Sequence, residues 1–396
     1  MPAKLEGVRI LDVTRVLAGP YCTLVLGDLG AEVVKIEPPG GDETRTWPPF
    51  YPNGESGYYM ALNRNKKSMV LDLKQPGAQE VFAELAKKSD VMIENFTPGV
   101  VKRMGIDYEA IKKINPRIIY CSVSGFGQTG PYRTKKAYDP VIQAMGGAMS
   151  VTGVKGGDPV KIGIPVGDLG GSFMAVSSIL ASLFAREKQG IGEYIDVSML
   201  DGQVFMLSVM AAEYFAEGQI PERWGLEHPW RVPSKTFKTK NGYITTSATS
   251  SNLYPTLCQV LGLPELIDDP RFKTNALRVE NRDQIYPIID KVMMTKTSEE
   301  WDELFVKAGL PTGVMKNLDQ VFCDPQVLAR DMLQIVDHPT LGKLKMIGVP
   351  FKFSQSGHKK ITPPPLLGEH TEEILQNILG YDAGQIARLR EDKAVA

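Results

Sequence analysis

The sequence predicts an α/β fold class, with a Rossmann-like large domain built on a parallel sheet plus a smaller α+β domain. Short β-rich runs alternate with helical stretches through the first 125 residues, which is typical of βαβ units. Near residue 221 this pattern gives way to a β-hairpin and a series of helices. The chain of 396 residues is also too long for one small core, so two domains are expected.

The predicted sheet consists of β-rich runs that helices separate. The strands are predicted at residues 8–13, 32–36, 68–71, 90–93 and 117–123. The helices are predicted at residues 19–29, 78–88, 173–186 and 199–217. The last of these is small and apolar almost all round, which indicates burial in a core or against a partner.

The smaller domain begins with a predicted hairpin, because Asn241 and Gly242 form a tight-turn pair between two short β-rich runs. Helical stretches follow it at residues 253–261, 284–294 and 298–308. In the large domain, residues 38–57 are rich in Pro, Gly and Asp and are expected to form a functional loop over the sheet edge. A closing helix at residues 371–379 is expected to pack back on the large domain.

These elements give a proposed domain division. We expect residues 1–200, completed by residues 330–396, to form the large catalytic domain. We expect residues 221–325 to form the small domain. The two predicted linkers are residues 201–220 and 326–335.

Composition and charge exclude several classes of function. The net charge is −1, so no basic field indicates binding to nucleic acid. No apolar run reaches the length of a membrane-spanning helix, and no membrane association is expected. The first residues lack the apolar segment of a signal peptide, so secretion is not expected either.

The cysteines and histidines are few and dispersed. The cysteines, Cys22, Cys121, Cys258 and Cys323, form no CxxC pair, which fits reduced thiols and a cytoplasmic location. None of the histidines has a second histidine or a cysteine at metal-ligand spacing, so no metal site is expected. The histidines are His228, His338, His358 and His370.

Asp168 is the candidate catalytic residue that the local sequence offers. It lies in the glycine-rich segment 163–172, just before a long apolar helical stretch. Glycines let backbone N–H groups approach a reacting group, and a helix N-terminus favours negative charge. We therefore expect Asp168 to be ionised at neutral pH, as a nucleophile must be. The alternative from local sequence is an ordinary helix N-cap.

A nicotinamide-binding site is not expected, although the first strand and turn suggest one. Glu37 follows at nearly the spacing of a ribose-binding acid, but the turn has only Gly19, followed by Pro20. The dinucleotide fingerprint needs three glycines whose backbone contacts pyrophosphate, and proline removes an N–H donor. A nucleotide-bearing ligand bound in another way stays possible.

Ordered motifs along nearly the whole chain resemble the class III CoA-transferases, also called the CaiB/BaiF family. Among them are LEGVRILD at residues 5–12, LGAEVVKIEP at 29–38, SGFGQTGPY at 124–132 and PLLGEHT at 365–371. The other matching segments are residues 18–20, 63–68, 71–74, 90–96 and 103–105. Asp168 falls where the family keeps its catalytic aspartate.

The resemblance implies transfer of CoA from an acyl-CoA to an acceptor carboxylic acid. Asp168 would pass through an anhydride and an aspartyl-CoA thioester, and Gly170 and Gly171 would leave room for the acyl group. The implied assembly is an interlaced homodimer of open rings. CoA enters as substrate, and no tightly bound cofactor is implied.

The resemblance also implies a set of CoA contacts. Arg103 and Lys136 among them suit phosphate groups. The full set is Arg15, Leu17, Leu71, Asp72, Leu73, Lys74, Asn95, Phe96, Thr97, Arg103, Lys136, Ala137, Tyr138 and Asp139.

Two other functions remain as alternatives. The α-methylacyl-CoA racemases resemble this chain but carry a His-Asp pair where it has Tyr138 and Asp139, so the expected proton shuttle is missing. A non-catalytic CoA-binding oligomer is the second alternative, and the retained Asp168 argues against it.

The acceptor acid is predicted from one substitution. The formyl/oxalyl branch of the family has Gln where this chain has Leu17, although Trp47 matches that branch. An apolar side chain offers no hydrogen bond to a small polar acid such as oxalate. We therefore expect a larger acid, such as the dicarboxylate succinate, with His228 or Arg231 as its carboxylate partner.

Overall fold

The computed structural model describes residues 2–356 and 360–395, so the histidine at position 358 lies outside the described residues. The chain forms two compact units. The first comprises residues 1–148, 161–212 and 325–396, and the second comprises residues 149–160 and 213–324. Residues 149–160 group with the second unit, although the sequence analysis counted them with the large domain. Hydrogen bonds explain this, because the Gly225 N–H donates to Gly153 O over 2.8 Å and Arg223 donates to Gly157 O.

The first unit contains a six-stranded sheet whose strands are all parallel. The strands are β1 Arg9–Asp12, β2 Glu32–Glu37, β3 Lys66–Val70, β4 Val91–Glu94, β5 Ile119–Ser124 and β6 Tyr194–Ser198. Their order is β3-β2-β1-β4-β5-β6, which is the doubly wound Rossmann order with its switch point between β1 and β4. The predicted fold class is confirmed, and β6 is a strand that the sequence analysis did not predict.

Helices cover both faces of this sheet. They are α1 Ala18–Asp28, α2 Gly57–Leu62, α3 Pro76–Lys87, α4 Val100–Arg103, α5 Tyr108–Ile114, α6 Asp139–Met145, α7 Val166–Gln189 and α8 Met199–Glu217, with 3₁₀ turns at Glu43–Thr46 and Ala148–Val151. Alternate strand residues enter opposite cores: Leu11 packs with Phe82 of α3 on one face, and Ile10 packs with Ile179 of α7 on the other.

Helix α7 begins earlier than predicted, because the glycine-rich segment is itself helical. The helix has 24 residues and, among residues 2–356 and 360–395, is the one helix long and apolar enough to cross a membrane by length and composition. The expectation that no run reaches this length was wrong. Its residues Ala175, Val176 and Ile179 are buried in the core beside the sheet, as in the core helix of a globular domain.

The second unit contains a three-stranded antiparallel sheet and a helical layer. Its strands are β7 Ser234–Lys238, β8 Tyr243–Ser247 and β9 Thr312–Val314. Its helices are α9 Leu253–Leu261, α10 Glu265–Asp268, α11 Asn275–Glu280, α12 Arg282–Met293, α13 Ser298–Lys307 and α14 Leu318–Val321. Phe237 of β7 packs with Trp301 and Phe305 of α13 in the core of this unit.

The C-terminal segment returns to the first unit, as predicted. It comprises α15 Pro325–Ala329, β10 Leu333–His338, β11 Gly342–Ile347, α16 Thr371–Glu373, a π-helical turn Ile374–Leu379 and α17 Ala383–Glu391. It is attached to β3, because the His370 N–H donates to Ser68 O over 2.9 Å and the Val70 N–H donates to Thr371 Oγ1 over 3.2 Å.

Candidate active site

Two cavities open at the carboxyl ends of the parallel strands, where ligands bind in doubly wound sheets. The smaller has a volume of about 200 Å³ and the larger about 730 Å³. Both lie within the first unit and share Arg15, Glu43 and Phe96 in their walls. Arg15 bridges the other two, since its guanidinium lies 5.2 Å from the Phe96 ring centroid and 3.4 Å from Glu43 Oε1.

Asp168 lies in the wall of the smaller cavity and in the first turn of α7. Its side chain is partly buried. Burial, followed by the nearby carboxylate of Asp139, raises the pKa of Asp168 to about 7. The sequence analysis expected Asp168 to be ionised at neutral pH. In the structure, burial and a like charge oppose the favourable helix terminus and bring the carboxyl group near the midpoint of its titration at that pH.

Asp139 lies behind the turn that carries Asp168. Its Oδ1 accepts the Gly167 N–H over 2.8 Å, and its Oδ2 accepts a hydrogen bond from Gln143 Nε2 over 2.7 Å. Gln143 is fully buried and also accepts the Ile162 N–H through Oε1. This buried network connects α6 to the segment before α7 and fixes the backbone beside Asp168.

The sequence analysis expected Gly170 and Gly171 to leave room for the acyl group, and the structure places both glycines against helix α8. A Cβ on Gly170 would lie 2.6 Å from Met206 Cε, and one on Gly171 would lie 3.0 Å from Met199 Cγ. Both methionines belong to α8. The glycines therefore permit close packing of α7 on α8.

The structure brings nearly all predicted CoA contacts to the two cavities. The smaller cavity is lined by Arg15, Leu17, Asn95, Phe96, Thr97, Lys136, Ala137 and Tyr138. The larger cavity is lined by Arg15, Leu71, Asp72, Leu73, Lys74, Phe96 and Arg103. Asp139 is the predicted contact that lines neither cavity, because its carboxylate is turned toward Gly167.

The chemistry of the larger cavity suits the nucleotide end of CoA. Lys74 and Arg103 supply cations for phosphate oxygens. Leu71, Leu73 and Phe96 supply apolar wall for an adenine ring. A mixture of apolar wall and a few charged groups is typical of a cofactor-sized pocket.

An unusual turn between β1 and α1 carries Arg15 and Leu17 into the smaller cavity. Val16 has a φ of 66°, which is a rare conformation for a β-branched residue. Asn95 holds Arg15 by two hydrogen bonds: its Oδ1 accepts the Arg15 N–H over 2.9 Å, and its Nδ2 donates to Arg15 O over 2.7 Å. Asn95 thus fixes this turn in addition to lining the cavity.

A buried ion pair holds the same turn from the other side. Lys35 Nζ lies 3.0 Å from Asp42 Oδ2, and both side chains are inaccessible. Lys35 Nζ also donates to Thr14 O over 2.8 Å, and the Val16 N–H donates to Asp42 Oδ1 over 3.5 Å. Side chains from three other segments therefore satisfy the backbone that flanks Val16.

Several cavity residues were missed by the sequence analysis. Ser124, Arg133, Lys135 and Glu43 line the smaller cavity. Ser124 could have been found, because it directly follows the strand predicted at residues 117–123, and the carboxyl ends of parallel strands face ligand sites. Glu43 lies in the loop of residues 38–57 that was predicted to be functional, but the sequence does not show which of its side chains face the cavity. Arg133 and Lys135 lie in a turn between elements, where the sequence gives no such signal.

An aromatic pair lies close to the carboxylates of this site. Trp47 contacts Tyr58 edge to face, with ring centroids 5.4 Å apart. Burial, followed by the charges of Asp168 and Asp139, raises the pKa of Tyr58 to about 12. Tyr58 is therefore a neutral phenol at physiological pH, and Trp47 braces its ring.

The predicted carboxylate partners His228 and Arg231 belong to the second unit, and neither lines the two cavities of the first unit. Burial, followed by the charges of Arg231 and Arg282, lowers the pKa of His228. A neutral imidazole attracts a carboxylate less than an imidazolium does, so the structure gives His228 no support in this role. In the described part of the chain, no cluster of three His, Cys, Asp or Glu residues could hold a metal ion.

Comparisons with known proteins agree with this geometry. The family model for CoA-transferase family III matches residues 5–371. A human protein named succinyl-CoA:glutarate CoA-transferase is 45% identical over 97% of this chain and 88% of its own length. An Acetobacter aceti protein named acetyl-CoA:oxalate CoA-transferase is 41% identical over 89% of this chain and 91% of its own.

A solved structure shares the fold. The crystal structure of a CaiB/BaiF family protein from Brucella suis has a TM-score of 0.87 and 35% sequence identity, covering 96% of this chain and all of that one. The range that the family model matches, residues 5–371, includes strands β1 to β11 and Asp168. The chain therefore belongs to CoA-transferase family III, the CaiB/BaiF family, and is an enzyme that transfers CoA between carboxylic acids.

Proposed function

We propose that Asp168 is the nucleophile of this CoA-transferase and that its substrates are dicarboxylic acids of the succinate and glutarate class. The observation that carries the first part is the place of Asp168, a partly buried carboxyl group in the wall of the cavity that Arg15, Lys136 and Asn95 also line. A carboxylate in such a cavity can attack a thioester bound there.

The proposed reaction conserves the energy of the thioester. The Asp168 carboxylate attacks the carbonyl carbon of the donor acyl-CoA, and the C–S bond breaks to give an acyl-aspartyl anhydride and CoA thiolate. The thiolate then attacks the aspartyl carbonyl, which releases the donor acid and leaves an aspartyl-CoA thioester. The acceptor carboxylate repeats these steps in reverse order and leaves as its CoA thioester.

Two features support a dicarboxylate as the acid. The human relative, 45% identical, is named for succinyl-CoA and glutarate. The cavity wall combines the buried apolar side chain of Leu17 with the exposed cations Arg133, Lys135 and Lys136. An apolar wall accommodates methylene groups, while cations attract the second carboxylate.

The racemase alternative gains no support from the described cavity. Tyr138 lines the smaller cavity, where the racemases have histidine, and its side chain is exposed. A phenol lacks the basic ring nitrogen with which a histidine takes up and returns a proton.

The assembly that we propose is an interlaced homodimer. Helices α7 and α8 expose an unusual number of large apolar side chains in the first unit, which a partner would cover. These exposed residues are Phe173, Phe184, Val204, Phe205 and Val209.

The proposed nucleophile can be tested by trapping. We expect Asp168→Asn to lower kcat by at least about 10³-fold, because an amide cannot form the anhydride. Wild-type enzyme incubated with succinyl-CoA alone is expected to carry an adduct on the peptide with Asp168, and hydroxylamine should remove it. A separate steady-state assay with succinyl-CoA as donor ranks the acceptors, and we expect glutarate to exceed oxalate in kcat/KM.

Asp201→Asn is the matched control. Asp201 also lies in the first turn of a helix, but it accepts a hydrogen bond from Ser198 and lines neither cavity. We expect this variant to keep wild-type turnover and the adduct on Asp168. Full activity in Asp168→Asn would contradict the proposed nucleophile, and a preference for oxalate would contradict the proposed acid.

A further inference from the structure

Ser124 carries a buried hydroxyl group that the described structure leaves without a hydrogen-bond partner. It is the last residue of β5 and lines the same cavity of about 200 Å³ as Asp168. Its exposed fraction is 7%, and no atom in residues 2–356 or 360–395 bonds its Oγ.

An unpartnered buried hydroxyl is costly for folding. Burial removes the hydrogen bonds that the group makes with water, and here no protein group replaces them. Alanine at this position would avoid that loss with little change in volume. The hydroxyl at position 124 is therefore best explained by an acceptor that arrives with the ligand.

The small cavity limits which ligand atom this acceptor can be. The cavity has a volume of about 200 Å³, and both Ser124 and Asp168 lie in its wall. A thioester that Asp168 attacks must bring its carbonyl group into this volume. Its oxygen is then the acceptor nearest to the reaction, and Ser124 is a buried donor in the same wall.

We propose that Ser124 Oγ–H donates a hydrogen bond to the carbonyl oxygen of the acyl-CoA thioester bound beside Asp168. This assignment rests on the proposed function, in which Asp168 attacks that carbonyl carbon. During attack the carbonyl π electrons move onto oxygen, and the hydrogen bond strengthens as negative charge develops there. The hydroxyl keeps its proton throughout, so Ser124 is a donor and not an acid.

Four other polar side chains of the cavity are less suited to this role. Arg133, Lys135 and Lys136 are exposed, so water screens their charges. The Asn95 amide is already engaged with both backbone groups of Arg15. A buried neutral donor has a stronger effect, because the local dielectric constant is low.

The test compares Ser124→Ala with Ser89→Ala. Ser89 is also buried, but it precedes β4, at the amino ends of the parallel strands and away from the cavity. Its hydroxyl donates to Leu85 O over 2.8 Å. We expect Ser124→Ala to lower kcat roughly 10- to 100-fold with no fall in the Tm of the ligand-free enzyme. Ser89→Ala should lower Tm by roughly 2 °C and leave kcat unchanged.

Single-turnover formation of the Asp168 adduct from succinyl-CoA locates the effect, and we expect Ser124→Ala to slow it by the same factor as kcat. An unchanged rate of adduct formation in Ser124→Ala would overturn the proposal and leave the proposed nucleophile intact. A rise in KM with unchanged kcat would overturn the assignment to the thioester carbonyl. Absence of any adduct in wild-type enzyme would instead contradict the proposed function itself.

Discussion

Asp168 is a carboxyl group on which opposing influences act. Its place in the first turn of α7 favours the charged form. Burial and the carboxylate of Asp139 favour the neutral form, and together they raise its pKa to about 7. A nucleophile with this pKa is more basic than an ordinary aspartate, and a higher basicity makes a carboxylate a stronger nucleophile toward a thioester.

This pKa predicts a pH dependence for transfer. Because the neutral acid cannot attack, kcat/KM should rise with pH, reach half of its maximum near pH 7 and level off above about pH 8. Asp139→Asn should move the midpoint to lower pH, because it removes a like charge near Asp168. Measurement of kcat/KM between pH 5 and 9 tests both statements.

The control for this profile is Asp201→Asn, whose carboxyl group lies outside both cavities. Its midpoint should equal that of the wild type. A wild-type profile that is flat between pH 5 and 8 would contradict a titrating nucleophile. An Asp139→Asn midpoint equal to or above that of the wild type would contradict the assigned cause.

At the scale of elements, the turn between β1 and α1 is held by residues from distant segments. Val16 adopts a φ of 66°, which costs of order 1–3 kcal/mol for a non-glycine residue. The Lys35–Asp42 ion pair and Asn95 compensate by satisfying the backbone around it. This conformation of the turn places Leu17 in the wall of the smaller cavity.

We predict that Asp42→Asn destabilises this turn. The change removes one charge of a buried ion pair and leaves Lys35 without its 3.0 Å partner, which costs about 3 kcal/mol in the free energy of unfolding. The KM for acyl-CoA should rise as well, because Arg15 and Leu17 lose their fixed positions. Urea unfolding and steady-state kinetics measure the two effects.

Glu43→Gln is the comparison for this variant. Glu43 pairs with Arg15 over 3.4 Å, but both side chains are substantially exposed, so the pair contributes less than about 1 kcal/mol. If Asp42→Asn and Glu43→Gln lost equal free energy of unfolding, burial would not explain the contribution of the Lys35–Asp42 pair to stability.

At the scale of the whole molecule, helices α7 and α8 expose large apolar side chains that an ordinary protein exterior would cover. Phe173, Phe184 and Phe205 are exposed to 45%, 68% and 75%. Exposure of such large apolar side chains to water is unfavourable relative to their burial, and a cluster of them marks an association surface. Helix α7 carries both Asp168 and part of this surface. We therefore expect assembly and activity to depend on each other.

The proposed dimer predicts a molar mass. Light scattering should give about twice the chain mass of 43.6 kDa, with no dissociation on dilution, because obligate interfaces of this kind bury thousands of square ångströms. Phe205→Glu should lower both the dimer fraction and the activity. Val306→Glu alters an apolar residue of α13 that is 61% exposed and should change neither. An active particle of 43.6 kDa would contradict the proposed dimer.

The sequence by itself determined the fold class, because the strand and helix signals are local. The runs at residues 8–13, 32–36 and 90–93 became β1, β2 and β4, since continuous β-branched and apolar residues suit strands buried on both faces. Strand β6 escaped prediction because it lies at the sheet edge and is partly exposed, and its residues therefore lack that pattern. The family resemblance and the candidate Asp168 likewise needed nothing beyond residue order.

Only the tertiary structure decided the properties that depend on distant neighbours. The pKa of Asp168 depends on Asp139, 29 positions earlier in the chain. The conformation of Val16 depends on Asp42. The need for glycine at positions 170 and 171 depends on the methionines of α8 that pack against them. The same holds for Ser124, because only the folded cavity shows that no described residue forms a hydrogen bond with its Oγ. Burial, charge proximity and close packing depend on which distant segments contact one another in the folded chain. No short sequence pattern specifies those contacts.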